Sequence, residues 1–194
     1  ESPARLGLVL CNDFTDRDTL MRHIDPWDIE SGAGFTTGKS FPGFLPVGSL
    51  FVVPRDPRAF AAALELRLWV NGELRQRSRA SEMIWDLDEI LRRTFAWKER
   101  RWEHRGAQVG LLGGGGDAIP ERTLVLSGTP RGTVFAGLRA RHYVGLGGFR
   151  RPAPGHVVDA YIRDARAAHA YLQPGDRVEI HVDRLGVLRN EIAP

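Results

Sequence analysis

Residues 64–76 read L-E-L-R-L-W-V-N-G-E-L-R-Q. Leu64, Leu66 and Leu68 alternate with Glu65, Arg67 and Trp69, the period-two pattern of a strand with one buried face. Asn71-Gly72 then supplies the two positive-φ positions of a type I′ turn, after which Leu74 to Gln76 return as a second strand. A β-hairpin is expected here, and with it a β-rich chain.

Working upstream, L-G-L-V-L-C at residues 6–11 reads as a buried strand that delivers Asn12 and Asp13 at its end. Residues 13–38 are polar and Gly-rich, and read as a long ordered loop or short helix forming a lid. Between residues 41 and 53, Pro42, Gly43 and Pro46 forbid a helix, and F-V-V favours a strand. Downstream, Asp86 and Glu89 match a capping box, followed by Leu87, Ile90, Leu91, Thr94 and Phe95 on one helical face, so a short helix is expected to end near Trp97. The four glycines at 113–116 read as a flexible connection. Residues 123–126 read as a strand broken by S-G-T-P-R-G at 127–132. The Arg- and Gly-rich stretch 138–169, with a helical piece around 161–171, reads as a surface insertion. Pro174-Gly175-Asp176 is a turn before Val178, Ile180 and Val182 alternate with polar residues, and a bend at Gly186 leads to a last strand reaching Ile192. The whole chain, 1–194, is expected to form one β-rich α+β domain.

Composition bounds the function. With 194 residues, 42% hydrophobic and 26% charged, the chain reads as globular, able to bury roughly 70% of its unfolded surface without metal or disulfide staples. Cys11 is the only cysteine, which points to a reducing compartment and a cytoplasmic location. The 27 basic and 24 acidic residues leave a net charge of +3. The arginines are spread along the chain and interrupted by acids, so no phosphate-tracking surface, and no nucleic-acid partner, is expected. No apolar run approaches the roughly 18–20 residues of a membrane span. Glu1 is not an initiator Met and no signal peptide precedes it, so the chain is expected to be processed or to begin partway into its gene product.

Two constellations carry chemistry. A-G-F-T-T-G-K-S at residues 33–40 nearly satisfies the phosphate-loop pattern, but D-P-W-D-I-E precedes it and F-P-G-F-L-P follows, where a buried strand and a helix are required. Lys39 within it is one of two lysines in an arginine-rich chain. It reads either as an exposed residue or as a compact buried ammonium facing an anion or a metal-bound water. The second constellation is N-D-F-T-D-R-D, residues 12–18. Asp13, Asp16 and Asp18 with Arg17 form either a salt-bridged surface turn or oxygen ligands for a hard cation beside an arginine that forks a carboxylate. His23 reads as an ordinary surface or packing residue before a base, and histidines 104, 142, 156, 169 and 181 show no metal spacing.

Taken in order, N-D-F-T-D-R-D, then G-K-S-F-P with L-P-V-G, then V-N-G-E-L-R-Q with E-M-I-W, then L-S-G-T-P-R-G, and the closing L-Q-P-G-D-R-V-E-I and L-G-V-L-R-N-E-I resemble the C-terminal catalytic region of the fumarylacetoacetate hydrolase family. The resemblance implies packed mixed β-sheets with few short helices, and usually a homodimer. It also implies a divalent metal (Mg²⁺, or Mn²⁺ or Ca²⁺) that binds the oxygens of a 2-oxo acid or β-dicarbonyl substrate. In that pattern Asp13 is a metal ligand, Arg17 a partner for a substrate carboxylate or a support for the metal's ligands, Lys39 the ammonium beside the metal, and Thr129 with the Gly128 backbone a grip on a substrate carboxylate. The implied reaction is hydrolysis of a C–C bond in an acylpyruvate-like substrate. A decarboxylase or tautomerase on the same scaffold, or a metal-free relative that only binds a small acid or a protein partner, are the alternatives. The family's other metal ligands, spaced E-x-E, and its His–Glu pair lie upstream of the segment matching Asp13, so the resemblance implies an N-terminal part beyond this chain. Leu20 stands where the family often has glutamine.

Overall fold

A computed structural model describes residues 6–29, 32–112, 118–120, 123–133, 137–143, 153–168 and 171–194. It divides into two compact units, one formed by residues 1–11, 47–132 and 176–191, the other by 12–46, 133–175 and 192–194.

In the first unit, β1 (Leu8–Cys11) pairs antiparallel with β2 (Val47–Val52). The decisive hairpin forms as expected, β3 (Glu65–Val70) and β4 (Glu73–Arg79) around Asn71 at φ 50° and Gly72 at φ 81°. Asn71 also ties this turn to the start of a C-terminal strand, its amide donating to Asp176 at 2.8 Å and its oxygen accepting from the Arg177 N–H at 2.8 Å. A second hairpin, β5 (Arg101–His104) and β6 (Ala107–Gly110), turns on Arg105 and Gly106, both at positive φ. The C-terminal pair β7 (Arg177–Val182) and β8 (Gly186–Glu191) completes a four-stranded antiparallel sheet ordered β4-β3-β7-β8.

Alternation gives that sheet two unlike faces. Leu66, Leu68, Ile180, Val182 and Leu188 pack with Leu10, Leu64 and Leu185 as the core, each fully buried side chain stabilising by roughly 1.5–3 kcal/mol. The outer face is a lattice of ion pairs. Glu65 takes Arg67 at 3.1 Å and Arg77 at 3.0 Å, Arg67 also reaches Asp183 at 3.1 Å, and Glu179 accepts from His181 and Arg189. The sheet's arginines are thus spent on neighbouring acids, which is why the basic balance makes no phosphate-binding stripe on this face.

Two helices flank this unit, α3 (Pro57–Ala62) and α4 (Leu87–Ala96). Asp86 caps α4 as expected, accepting from the Glu89 N–H at 2.8 Å. Glu89 gives its own carboxylate to Arg92 and Arg93, which pull its pKa down to about 2. Residues 123–126, expected as a strand, belong to no ladder among the described residues and are exposed. The glycines 113–116 lie outside the described residues.

In the second unit, the 13–38 segment expected as a loop or one helix forms two: α1 (Arg17–His23) and α2 (Phe35–Lys39). Asp16 caps α1, accepting from the Thr19 N–H at 3.0 Å and the Thr19 hydroxyl at 2.8 Å. After α5 (Ala140–Tyr143) comes α6 (Pro154–Ala167). Val158, Tyr161 and Ile162 of α6 pack on Leu20 and Met21 of α1 and on Ile24 just after it. Part of the stretch read as a surface insertion therefore builds the core of this unit. Apolar residues at i, i+3 and i+4 were present in the sequence, but the intervening arginines masked them. Residues 144–152 and 169–170 lie outside the described residues.

His142 sits in this core with 3% of its surface exposed. Its Nδ1 accepts the Arg139 backbone N–H at 2.8 Å, and its Nε2 stands 3.4 Å from Asp164. Burial pulls its pKa below the ordinary 6.5, against the opposing charge of Asp164. A histidine with a depressed folded pKa binds protons more readily when unfolded, so stability from this group is present above about pH 6.5 and is lost as pH falls below it. Melting temperatures between pH 8 and 5 should fall for the native chain and fall less for His142→Gln; parallel curves would refute the assignment.

Candidate active site

The site of the second unit is built from backbone first. Three hydrogen bonds stitch the segment after β1 to α2 and the segment following it: Asn12 N–H to Pro46 O at 3.1 Å, Phe14 N–H to Phe44 O at 2.9 Å, and Asp16 N–H to Gly38 O at 2.9 Å. Two glycines then allow α2 to lie backbone to backbone against α1. A Cβ at Gly34 would stand 2.4 Å from the Leu20 carbonyl oxygen, and one at Gly38 would stand 2.7 Å from Leu20 Cβ and 3.0 Å from Asp16 O. The glycines of the near-phosphate-loop therefore serve a close helix crossing. The one short helix, five residues long, lies inside the motif, and residues 40–46 after it form no helix, in line with the sequence reading.

That crossing sets Lys39, the last residue of α2, against Asp13. The Lys39 ammonium donates to Asp13 Oδ2, with side chains 29% and 23% exposed. Arg17 opens α1 beside them. Burial depresses its pKa, while the charges of Tyr161, Asp13 and Tyr171 oppose the shift. An arginine stays charged at neutral pH even so, and this guanidinium makes no ion pair or side-chain hydrogen bond among the described residues. Next to Asp13, Asn12 buries its side-chain amide nitrogen without a partner. Nothing in the sequence marked Asn12 apart from its neighbour; its signal is this orphaned donor.

The set is thus rich in donors, with an ammonium and a guanidinium beside one carboxylate and the orphaned Asn12 amide on the adjacent residue. Such a set suits an anionic or carbonyl oxygen ligand. It does not suit a divalent cation, which takes several oxygens. Among the described residues, no three His, Cys, Asp or Glu side chains are grouped to hold a metal, and Asp13 is already bonded to Lys39. The residues present do not fit the expected Mg²⁺, Mn²⁺ or Ca²⁺ by themselves. Mn²⁺ titrated calorimetrically into this chain should bind at about 10⁻³ M or weaker; a tight stoichiometric site abolished by Asp13→Ala would overturn this.

Gly128 and Thr129 belong to the first unit, on an exposed loop that includes Gly132. Gly128 is at φ +100° and Gly132 at φ +97°, backbone that only glycine adopts easily. The loop is held against β4, where Gln76 donates to Pro130 O at 3.2 Å. Gln76 ends the hairpin pattern and the V-N-G-E-L-R-Q motif, but neither assigns it a role; a polar residue opposite Leu68 is the available signal. Of the histidines, His23 bonds Thr19 O at 2.8 Å on the surface, and His181 is engaged by Glu179.

Comparison with known proteins agrees with this architecture. The family model for the C-terminal region of fumarylacetoacetate (FAA) hydrolase matches residues 6–193. The chain belongs to the fumarylacetoacetate hydrolase family. Within it, the chain is 24% identical over 186 residues to rat "Oxaloacetate tautomerase Fahd2a, mitochondrial", covering 96% of this chain and 41% of that protein. It is 32% identical over 126 residues to rat "Oxaloacetate tautomerase FAHD1, mitochondrial", covering 65% of this chain and 45% of that protein. The fold matches that of fumarylpyruvate hydrolase from Pseudomonas aeruginosa, solved with Mn²⁺ and pyruvate, at a TM-score of 0.52 and 23% identity over 96% of this chain and 54% of that one. The chain spans less than half the length of these curated relatives. The α+β class with antiparallel sheets and few short helices is thus that of the fumarylacetoacetate hydrolase family. No helix of the described residues is long and apolar enough to cross a membrane.

Proposed function

We propose that this chain binds a small 2-oxo acid or β-dicarbonyl at Arg17, Lys39 and Asp13 and interconverts its keto and enol forms. The observation that carries the reading is the Lys39–Asp13 hydrogen bond beside the half-buried Arg17, which has no ion pair among the described residues. Arg17 forks the substrate carboxylate; within the first unit, Thr129 with the Gly128 N–H is proposed as a carboxylate grip in its own right. Asp13 takes the proton from the carbon next to the carbonyl while the Lys39 ammonium gives one to the developing enolate oxygen. The proton then passes from Asp13 to Lys39 along their shared hydrogen bond, and both return to their starting forms. Only C–H, O–H and N–H σ-bonds break and form, with the C=O and C=C π-bonds shifting between them and no carbon–carbon σ-bond cleaved, so the trio accounts for every proton moved.

Names of relatives support this reading, since the rat proteins above are oxaloacetate tautomerases. C–C hydrolysis, the reaction expected from the sequence, passes through the same enolate but also needs an attacking water, whose activation would fall to Asp13, the same base that tautomerisation uses. Decarboxylation shares the enolate and releases CO₂. The homodimer implied by the resemblance has its candidate surface on β2 and the residue after it, where Val47, Phe51 and Val53 are exposed apolar side chains. The test is to follow oxaloacetate by enol absorbance alongside CO₂ release and acylpyruvate cleavage. Loss of enol without CO₂ supports tautomerisation, and acylpyruvate cleavage in its place overturns it.

A further inference from the structure

We propose that Gln76 is a positioning residue for substrate, fixing the loop that presents Thr129; this rests on the reading of Thr129 as a carboxylate grip. The β3–β4 register shows how the sheet makes room for it. Leu68 pairs with Gln76, but the next residue, Trp69, pairs with Leu74, so Arg75 is an extra residue bulged out of the ladder. A bulge changes which face the following side chains take, and bulges are enriched beside active sites. Here it leaves Gln76 opposite Leu68, on the face whose other members form the apolar core, with only 7% of Gln76 exposed. A buried amide on an apolar face is destabilising unless it is bonded. Gln76 is bonded to the loop, its Nε2 donating to the Pro130 carbonyl at 3.2 Å.

A second contact two residues on makes the docking specific. Gly132 packs so closely on the bulge that a Cβ there would stand 2.5 Å from the Arg75 carbonyl oxygen and 3.0 Å from Gln76 Cγ, at a φ of +97°. The loop is therefore pinned at Pro130 by a hydrogen bond and at Gly132 by close approach. Thr129 directly precedes Pro130, whose ring restricts the residue before it to extended backbone. With Gly128 free to turn on one side and Pro130 anchored on the other, the position of Thr129 is inherited from Gln76. Arg75 and Gln76 thus serve a purpose that a plain hairpin would not need.

On the full 194-residue chain, Gln76→Leu keeps the volume, suits the apolar face and removes only the donor. It should raise the oxalate dissociation constant about tenfold, the size of one lost hydrogen bond to a positioned group. Amide exchange at residues 128, 129, 131 and 132 should quicken while the β3–β7 ladder stays protected. Mere loss of folded protein would lower the stoichiometry of oxalate binding and leave the dissociation constant alone, which separates it from a misplaced grip. Thr129→Val should weaken oxalate similarly, and the double variant should be no weaker than either single, because both remove the same grip. If Thr129→Val weakens oxalate and a folded Gln76→Leu changes neither affinity nor loop exchange, the role of Gln76 is overturned and that of Thr129 stands. If Thr129→Val leaves oxalate binding intact, the grip itself is overturned, and the inference falls with it.

Discussion

Replacing Lys39 by Met is expected to lower kcat for oxaloacetate tautomerisation by about 10²- to 10³-fold, the usual cost of deleting one preorganised donor to a developing oxyanion. The expectation follows from position. Lys39 lies at the end of a one-turn helix with its ammonium on Asp13 and its side chain still partly open to ligand. An ion pair at that exposure contributes only about 0–1 kcal/mol to folding, so the variant should melt close to the native chain. Lys39→Arg should not rescue turnover. A planar guanidinium is always charged and cannot hand over a proton, whereas an ammonium can. Lys98→Met, in the other unit, is the control for removing a lysine charge. Equal activity in Lys39→Met and Lys98→Met would show that the Lys39–Asp13 contact is structural.

What the sequence disclosed tracks how local the physics is. The β3–β4 hairpin was legible because Asn71 and Gly72 answer a local demand for positive φ and the leucines report one face. The Asp86 cap of α4 was legible for the same reason. The β5–β6 hairpin escaped notice because its turn uses Arg105, a residue with no turn preference, ahead of Gly106. α6 was half-seen, since its core face is fixed by contact with α1, more than a hundred residues away in sequence. Among the site residues, Asp13, Arg17 and Lys39 stood out by type, but that Lys39 meets Asp13 depends on a helix crossing no short window contains. Leu20 shows the converse. Where the resemblance implies glutamine, this chain puts a fully buried leucine among Met21, Ile24 and Ile162, so here the position serves packing.

The helix crossing is itself open to test, and Gly34→Ala should be the most destabilising single methyl that can be added to the second unit. Two costs combine there. Gly34 is at φ +85°, a conformation that costs an L-residue about 1–2 kcal/mol. The new Cβ would also lie 2.4 Å from the Leu20 carbonyl and 3.0 Å from the His23 carbonyl carbon, forcing an overpacking shift worth about 1–3 kcal/mol. Gly43→Ala separates the two, because its φ is +79° with nothing within 4 Å of the added carbon. It should carry the backbone cost alone. Gly38→Ala isolates the other cost. Its helical backbone favours alanine by about 1 kcal/mol, yet its Cβ would meet Leu20 Cβ at 2.7 Å. The crossing must open by some tenths of an ångström to admit it, carrying the adjoining Lys39 away from Asp13. The expected order of urea midpoints is therefore native above Gly43→Ala above Gly34→Ala, with Gly38→Ala losing turnover out of proportion to its loss of stability. Equal midpoints for Gly34→Ala and Gly43→Ala would mean that α1 and α2 do not touch as described, and that Lys39 reaches Asp13 by some other route.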